Sequence, residues 1–273
     1  MLEKFIYKNH MNEIITFGES NIFANQNDLH DYSWDVTSKN NKISSFKKGI
    51  ISKSIPVYII CKTEKEGIAI RNKIFEVCEK DVLVGKHGTI MVGDYYLKCY
   101  VKASKKSEYL KLKHMMKLTL QITTDEPYWI KETMTTFNYG AGAAGSNLDY
   151  NNDFPYDYSS NLLGLQLNNT GFVPVNFRMR IYGACENPKV TIAGHEYEVA
   201  VSLADNEYLT IDSIKKTIIL THTDGSTTNC FNLRNKESYI FEKIPVGLNN
   251  VSNNGDFKFD VTLLEERGEP KWI

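Results

Sequence analysis

The side chains best suited to acid–base work or metal ligation near neutral pH are six histidines: His10, His30, His87, His114, His195 and His222. None stands in an H-E-x-x-H pair, and none in an H-x-E followed by C-x-x-C, so the spacings of a zinc protease or a zinc deaminase are not written here. His195 has Glu196 and Glu198 close by, but it follows Gly194 at a predicted turn and reads as a surface histidine. Glu265 and Glu266 lie side by side in a charge-rich chain end and read as solvated carboxylates, not as an acid/base pair. No G-x-S-x-G elbow occurs. The Gly140–Gly145 stretch lacks the Lys-Ser/Thr of a phosphate loop and is not followed by a βαβ unit. Around Asp224 the alternating oxygens of a calcium loop are missing, and Asp149, Asn151, Asn152, Asp153 and Asp157 offer at most an adventitious cation. Cys61, Cys78, Cys99, Cys185 and Cys230 are odd in number and contain no C-x-x-C. They read as free thiols used as small hydrophobes in a reducing cytosol. The sequence therefore predicts no catalytic residue, no cofactor and no metal.

Two other constellations point to binding. Asn176, Arg178 and Arg180 share the polar face of one strand, where they would serve either a saccharide or a solvated, subunit-facing surface. The segment from Trp34 to Phe46 reads as a hairpin with a polar turn at Ser38-Lys39-Asn40-Asn41. Its apolar Trp34, Val36, Ile43 and Phe46 have few ways to be buried at home. An inter-subunit hairpin and an ordinary intradomain one both fit.

The elements that would carry these groups are mostly strands. Ile55–Cys61 is almost continuously apolar, which predicts a strand buried on both faces, with Pro56 at its start or at a sheet edge. Thr63-Glu64-Lys65-Glu66 is a capping box. Ile70, Ile74, Val77 and Cys78 then form one apolar stripe, so an amphipathic helix is predicted over 63–80. Thr89–Val92 and Tyr95–Leu97 flank Gly93-Asp94 as a hairpin. Met116, Leu118, Leu120 and Ile122 alternate with polar residues and predict a strand with one wet face. Residues 138–160, rich in Gly, Ala, Asn and Asp, read as a linker between a first domain, 1–137, and a second, 161–273. The second half alternates at Val175–Ile181 and at Phe257, Phe259, Val261 and Leu263. Turn signals recur about every ten residues, as in a β-sandwich.

With 42% hydrophobic and 12% aromatic residues, the chain can bury two cores. Net charge is −1, so no global field draws it to nucleic acid or to a membrane surface. The halves differ: residues 1–140 hold 21 basic and 16 acidic side chains, and residues 141–273 hold 11 and 17. No run approaches the ~18 apolar residues that cross a bilayer, and no secretion signal is legible. A soluble protein is expected, without membrane insertion and without sequence-specific nucleic-acid binding.

Several stretches, taken in order, resemble one family. They are Tyr32-Ser33-Trp34, Phe46-Lys47-Lys48-Gly49, the capped helix, Gly88-Thr89-Ile90, Leu97-Lys98-Cys99-Tyr100-Val101, Leu118-Thr119-Leu120 and Asp125-Glu126-Pro127-Tyr128-Trp129. Further on come Phe154-Pro155-Tyr156-Asp157-Tyr158, Gly183 with Asn187-Pro188, Glu207–Asp212, Asp224-Gly225 with Asn229, and Ile244-Pro245-Val246-Gly247 with Asn249. Over about 250 residues this order and spacing resembles the distal tail protein of long-tailed phages, prophages and phage-derived particles.

The resemblance implies a mainly β fold, with an N-terminal β-sandwich carrying one amphipathic helix and a C-terminal galectin-like β-sandwich. It also implies a non-enzymatic virion component at the tail tip, assembled in the bacterial host cytoplasm. In that family the first domains make a homo-hexameric ring between the tail tube protein and the tail-tip hub protein. The second domain can carry receptor-binding proteins. Some relatives insert carbohydrate-binding modules, for which this chain has no room. A carbohydrate-binding module that contacts the host surface directly is the alternative. A ring that passes DNA should not hold it, so Lys105, Lys106, Lys111 and Lys113 are expected away from the pore or balanced by acids.

Overall fold

A computed structural model describes residues 4–19, 21–24, 27–110, 115–138 and 165–271, with only the backbone at 107–110. Lys111, Lys113, His114, Gly140–Gly145, Asp149 to Asp157 and the linker expected at 138–160, apart from its first residue, lie outside the described residues. The chain divides into two compact units, Met1–Lys131 with Glu266–Ile273, and Glu132–Glu265.

The first unit holds β1 (Phe5–Lys8), β2 (Ile14–Phe17), β3 (Ile22–Ala24), β4 (Asp35–Lys39), β5 (Lys42–Lys47), β6 (Ile51–Ile60), α1 (Glu64–Val84), β7 (Gly88–Val92), β8 (Tyr95–Leu110), β9 (Met115–Thr124) and the start of β10 (Trp129–Phe137). One sheet runs β10-β8-β7-β1-β2 and the other β3-β6-β9-β8. The long β8 serves both: it pairs with β7 over Tyr95–Cys99 and with β9 from Tyr100 onward. Inward side chains of both sheets meet in one core with Ile74, Val77 and Cys78 of α1. Leu118, Leu120 and Ile122 are buried as the period-2 pattern predicts, and Met116 packs at the margin.

Two local expectations change. The strand predicted as buried on both faces is instead one-sided. Ile55, Val57 and Ile59 face the core, while Ser54, Pro56 and Tyr58 are partly open and Ile60 is exposed. Apolar residues on the outer side of β6 hid the alternation. Pro56 lies mid-strand. The backbone N–H and C=O of Ser54, two residues earlier, point at Asp28, and β3 reaches only as far as Val57. The missing N–H of Pro56 therefore falls on the side where no ladder partner is needed.

The helix is longer than predicted, ending at Val84 instead of residue 80. At its start the Thr63 hydroxyl accepts from Glu66 N at 3.2 Å, and the Glu66 carboxylate reaches back to Lys62 N at 3.0 Å. At its end nothing interrupts Val82-Leu83-Val84, and Gly85 closes the last turn at φ +68°, a conformation that suits a residue without Cβ.

The second unit holds the end of β10, β11 (Leu165–Asn169), β12 (Asn176–Tyr182), β13 (Cys185–Glu186), β14 (Lys189–Ile192), β15 (His195–Glu198), β16 (Ser202–Leu203), β17 (Tyr208–Asp212), β18 (Thr217–Thr221), β19 (Thr227–Asn229), β20 (Gly247–Asn253) and β21 (Phe259–Arg267). A sheet of order β19-β18-β17-β12-β21-β10 and a sheet of order β11-β20-β14-β15 enclose one core, and β13–β16 forms a small ribbon. The alternating Phe257, Phe259, Val261 and Leu263 are all buried in it. This is a two-sheet antiparallel sandwich. Both units are mainly β, and α1 is the one α-helix among the described residues.

Candidate functional site

The β4–β5 hairpin forms a two-stranded sheet of its own. Asn40 and Asn41, at φ +52° and +57°, make the two-residue turn. Asparagine tolerates that left-handed region better than most residues, and such turns match the twist of the strands they join. The register pairs Val36 with Phe46 and Ser38 with Ile43, with a bulge after Thr37 that leaves Ser44 unopposed. The Ser44 hydroxyl donates to Thr37 O at 2.9 Å. Val36 and Ser38 lie two apart and so share a face, and their opposite residues share it with them. The bulge thus brings Ile43 and Phe46, three residues apart, onto the face of Val36. All three are open, at 55% for Val36, 61% for Ile43 and 57% for Phe46.

Trp34 belongs with the root of the hairpin and not with that face. Its ring meets the Tyr128 ring edge-on at 6.4 Å. The Lys48 ammonium stands 4.7 Å from the Trp34 ring and 5.0 Å from the Tyr128 ring, and donates to Pro127 O at 3.2 Å. Partial burial lowers the Lys48 pKa. Below this, the buried Lys53 donates to Asp28 O at 2.5 Å and to Asp31 O, while Ser54 N donates to the Asp28 carboxylate at 2.9 Å. The root is therefore pinned by hydrogen bonds and cation–π contacts, and the outer face is left to solvent. Sequence reading missed Lys48 and Tyr128, although both stand in stretches that carry the resemblance.

Asn176, Arg178 and Arg180 are on β12 as predicted, but each is engaged within the second unit. Asn176 is buried and its Oδ1 accepts from Ser213 Oγ at 3.2 Å. Arg178 faces Asp212 at 3.5 Å and Glu132 at 3.7 Å. Arg180 lies 4.7 Å above the Tyr208 ring.

The titratable clusters fasten segments together. His222 Nδ1 meets Glu207 Oε1 at 2.6 Å, and its Nε2 meets Thr228 Oγ1 at 2.9 Å. The hydrogen bond from His222 holds the Glu207 carboxyl below its usual range. His87 does the same for Asp125 at 2.7 Å. His195 opens β15, with Nε2 2.9 Å from Tyr239 O. All five cysteines are free thiols, and burial pushes Cys78 up to about 12. Cys230, buried, lies just past the end of β19. Among the described residues no group of three or more His, Cys, Asp and Glu is placed to hold a metal ion, and no helix is long and apolar enough to cross a membrane.

No family model and no curated protein matches the chain. Solved structures do. The Dit (gp 19.1) protein of phage SPP1, described as a paradigm of the hub adsorption apparatus in phages infecting Gram-positive hosts, aligns over 96% of this chain and 99% of its own, at TM-score 0.59 and 8% identity. A chain of the phage P2 baseplate in its activated conformation, solved with calcium and again with strontium, aligns over 99% of this chain and 100% of its own, at TM-score 0.59 and 11% identity. The chain has the fold of a phage distal tail protein. At such identities what is shared is the course of the backbone through both units, not the side chains on its surface.

Proposed function

We propose that this protein is a structural component of a phage tail tip, in which its first unit forms a homo-hexameric ring between the tail tube protein and the tail-tip hub protein. The observation that carries this reading is the end-to-end match to the SPP1 Dit protein, which covers both units and leaves almost no part of either chain over. The second, galectin-like unit is the attachment point for receptor-binding proteins. The protein is non-enzymatic in this reading, assembles in the host cytoplasm and ends in the virion tail.

A ring needs two different patches on each subunit, because head-to-tail contacts are heterologous. The apolar hairpin face of Val36, Ile43 and Phe46 supplies one of them. Mass photometry and negative-stain microscopy of the purified chain, alone and with tail-tube and hub partners, should reveal six-fold rings. A monomer with every partner would overturn the proposal. The two units are further proposed to fold separately, so a fragment of residues 132–265 expressed alone should unfold cooperatively.

A further inference from the structure

We infer that the open face of the β4–β5 hairpin seats on the outer flank of α1 in the next copy of the chain. This rests on the ring reading above and names the two surfaces that meet.

Helix α1 carries two apolar stripes, and only one is used at home. The inner stripe, Ile74, Val77 and Cys78, is buried. The second, Ile68, Phe75 and Val82, recurs every seven residues, a spacing that drifts only about 20° per step and so stays on one flank. It is exposed, at 49%, 46% and 46%. Such a stripe on a helix already packed through another face is a surface awaiting a partner.

The flank opens into a groove. Phe75, Glu79 and Val82 line its helix side, and Val101, Ala103 and Ser104 of β8 line the other. Among the described residues no hydrogen-bond partner stands against the buried Ser104 Oγ.

Three features favour the hairpin as occupant. Among the described residues the apolar face of the hairpin is left open, and so is about half of each side chain of the flank, so the two do not cover each other in one copy. Their lengths agree: strands of five and six residues at ~3.3 Å per residue reach about 17–20 Å, and the fourteen steps from Ile68 to Val82 at ~1.5 Å span about 21 Å. Their charges are complementary. The hairpin exposes Lys39, Lys42 and Lys47 against a single Asp35, whereas Glu64, Glu76 and Glu79 border the stripe. Cations stand there too: Lys65 precedes Ile68 by three residues and Arg71 lies over the Phe75 ring at 5.9 Å, so the acids outnumber them three to two, while Lys102 on β8 is held by Ser52 Oγ at 2.8 Å. A projecting hairpin on one side and a receiving flank on the other are the two unlike patches that a closed ring requires.

The test places a photo-crosslinking phenylalanine analogue at Ile43 in the full chain, mixes isotopically light and heavy copies, irradiates the assembled rings and maps the products. Crosslinks joining light to heavy chain within residues 68–82 are expected. Phe75→Asp should lower the ring fraction at least tenfold while leaving the melting curve of the monomer in place, since the residue is exposed. Rings that form normally with Phe75→Asp, or crosslinks that map to another surface, would overturn this inference and leave the ring reading standing. A chain that never assembles would overturn both.

Discussion

Tyr7 donates its hydroxyl hydrogen to Asp81 Oδ2 at 2.5 Å, joining β1 to the last turns of α1 across 74 residues of sequence. Asp81 is fully buried, and its Oδ1 is met by His10 N at 2.9 Å and His10 Nδ1 at 2.5 Å. Burial, with the Asp81 hydrogen bond second, raises the Tyr7 pKa, so the hydroxyl remains a donor throughout the usual pH range. Tyr7→Phe removes the donor and leaves a buried carboxylate oxygen unmet. It should cost about 1–3 kcal/mol in urea unfolding, read as a lower midpoint at unchanged slope.

The same corner sets a second expectation. A Cβ at Gly88 would overlap Asp81 Oδ2 and the Tyr7 hydroxyl, both fixed by their mutual hydrogen bond. Gly88→Ala should destabilise the first unit by about 1–3 kcal/mol, as overpacking of a filled site does. In Tyr7→Phe the hydroxyl is gone but the ring carbon that bore it still stands 2.6 Å from that Cβ, so the alanine should be relieved only in part, and a double-mutant cycle reads that coupling.

Leu118 and Val36 should answer the same substitution in opposite ways. Leu118 is fully buried, and Leu118→Asp places an unpaired carboxylate in the first core, which should unfold that unit. Val36 is 55% exposed on the hairpin, so Val36→Asp should leave the thermal transition within about 1–2 °C and reduce ring formation. Calorimetry and mass photometry on the two variants separate the outcomes. Rings formed by Val36→Asp as readily as by the wild type would remove the hairpin from the interface.

The Glu207–His222 pair predicts a pH dependence. The folded-state pKa of Glu207 is lowered, chiefly by the hydrogen bond with His222. The folded state therefore binds fewer protons than the unfolded chain in the acid range. The stabilisation is present above the ordinary glutamate value and is lost as pH falls through the lowered folded value. Unfolding free energies of wild type and Glu207→Gln, measured from pH 7 down to 3, should converge at the acid end. A difference that stays constant with pH would refute the assignment.

Much of this architecture is legible in residue order, for physical reasons. Leu118, Leu120 and Ile122 alternate because a strand with one wet face must, and Thr63 with Glu66 marks the helix start because four backbone N–H groups there need acceptors. The hairpin is legible through its polar Ser-Lys-Asn-Asn turn between apolar flanks. Other features depend on partners far along the chain. Asn176 looks like a strand-face residue until Ser213 covers it, and Trp34 looks like its hairpin neighbours until Tyr128 meets it. Lys53 shows nothing in the sequence of the carbonyls of Asp28 and Asp31 that receive it. The polar stretch at 138–160 carries the compositional signal of a linker. The change from one compact unit to the other comes earlier, within β10, where Trp129 belongs to one core and Phe137 to the other with no change of composition to mark it.

That division has a consequence for how such proteins can diversify. The chain leaves the first unit after Lys131 and returns to it at Glu266, so the second unit is an insertion with one point of departure and one of re-entry. Recombination at those two junctions could exchange the whole second unit as a cassette while both segments of the first stay in their original reading context. A lineage could replace one unit without rebuilding the core of the other.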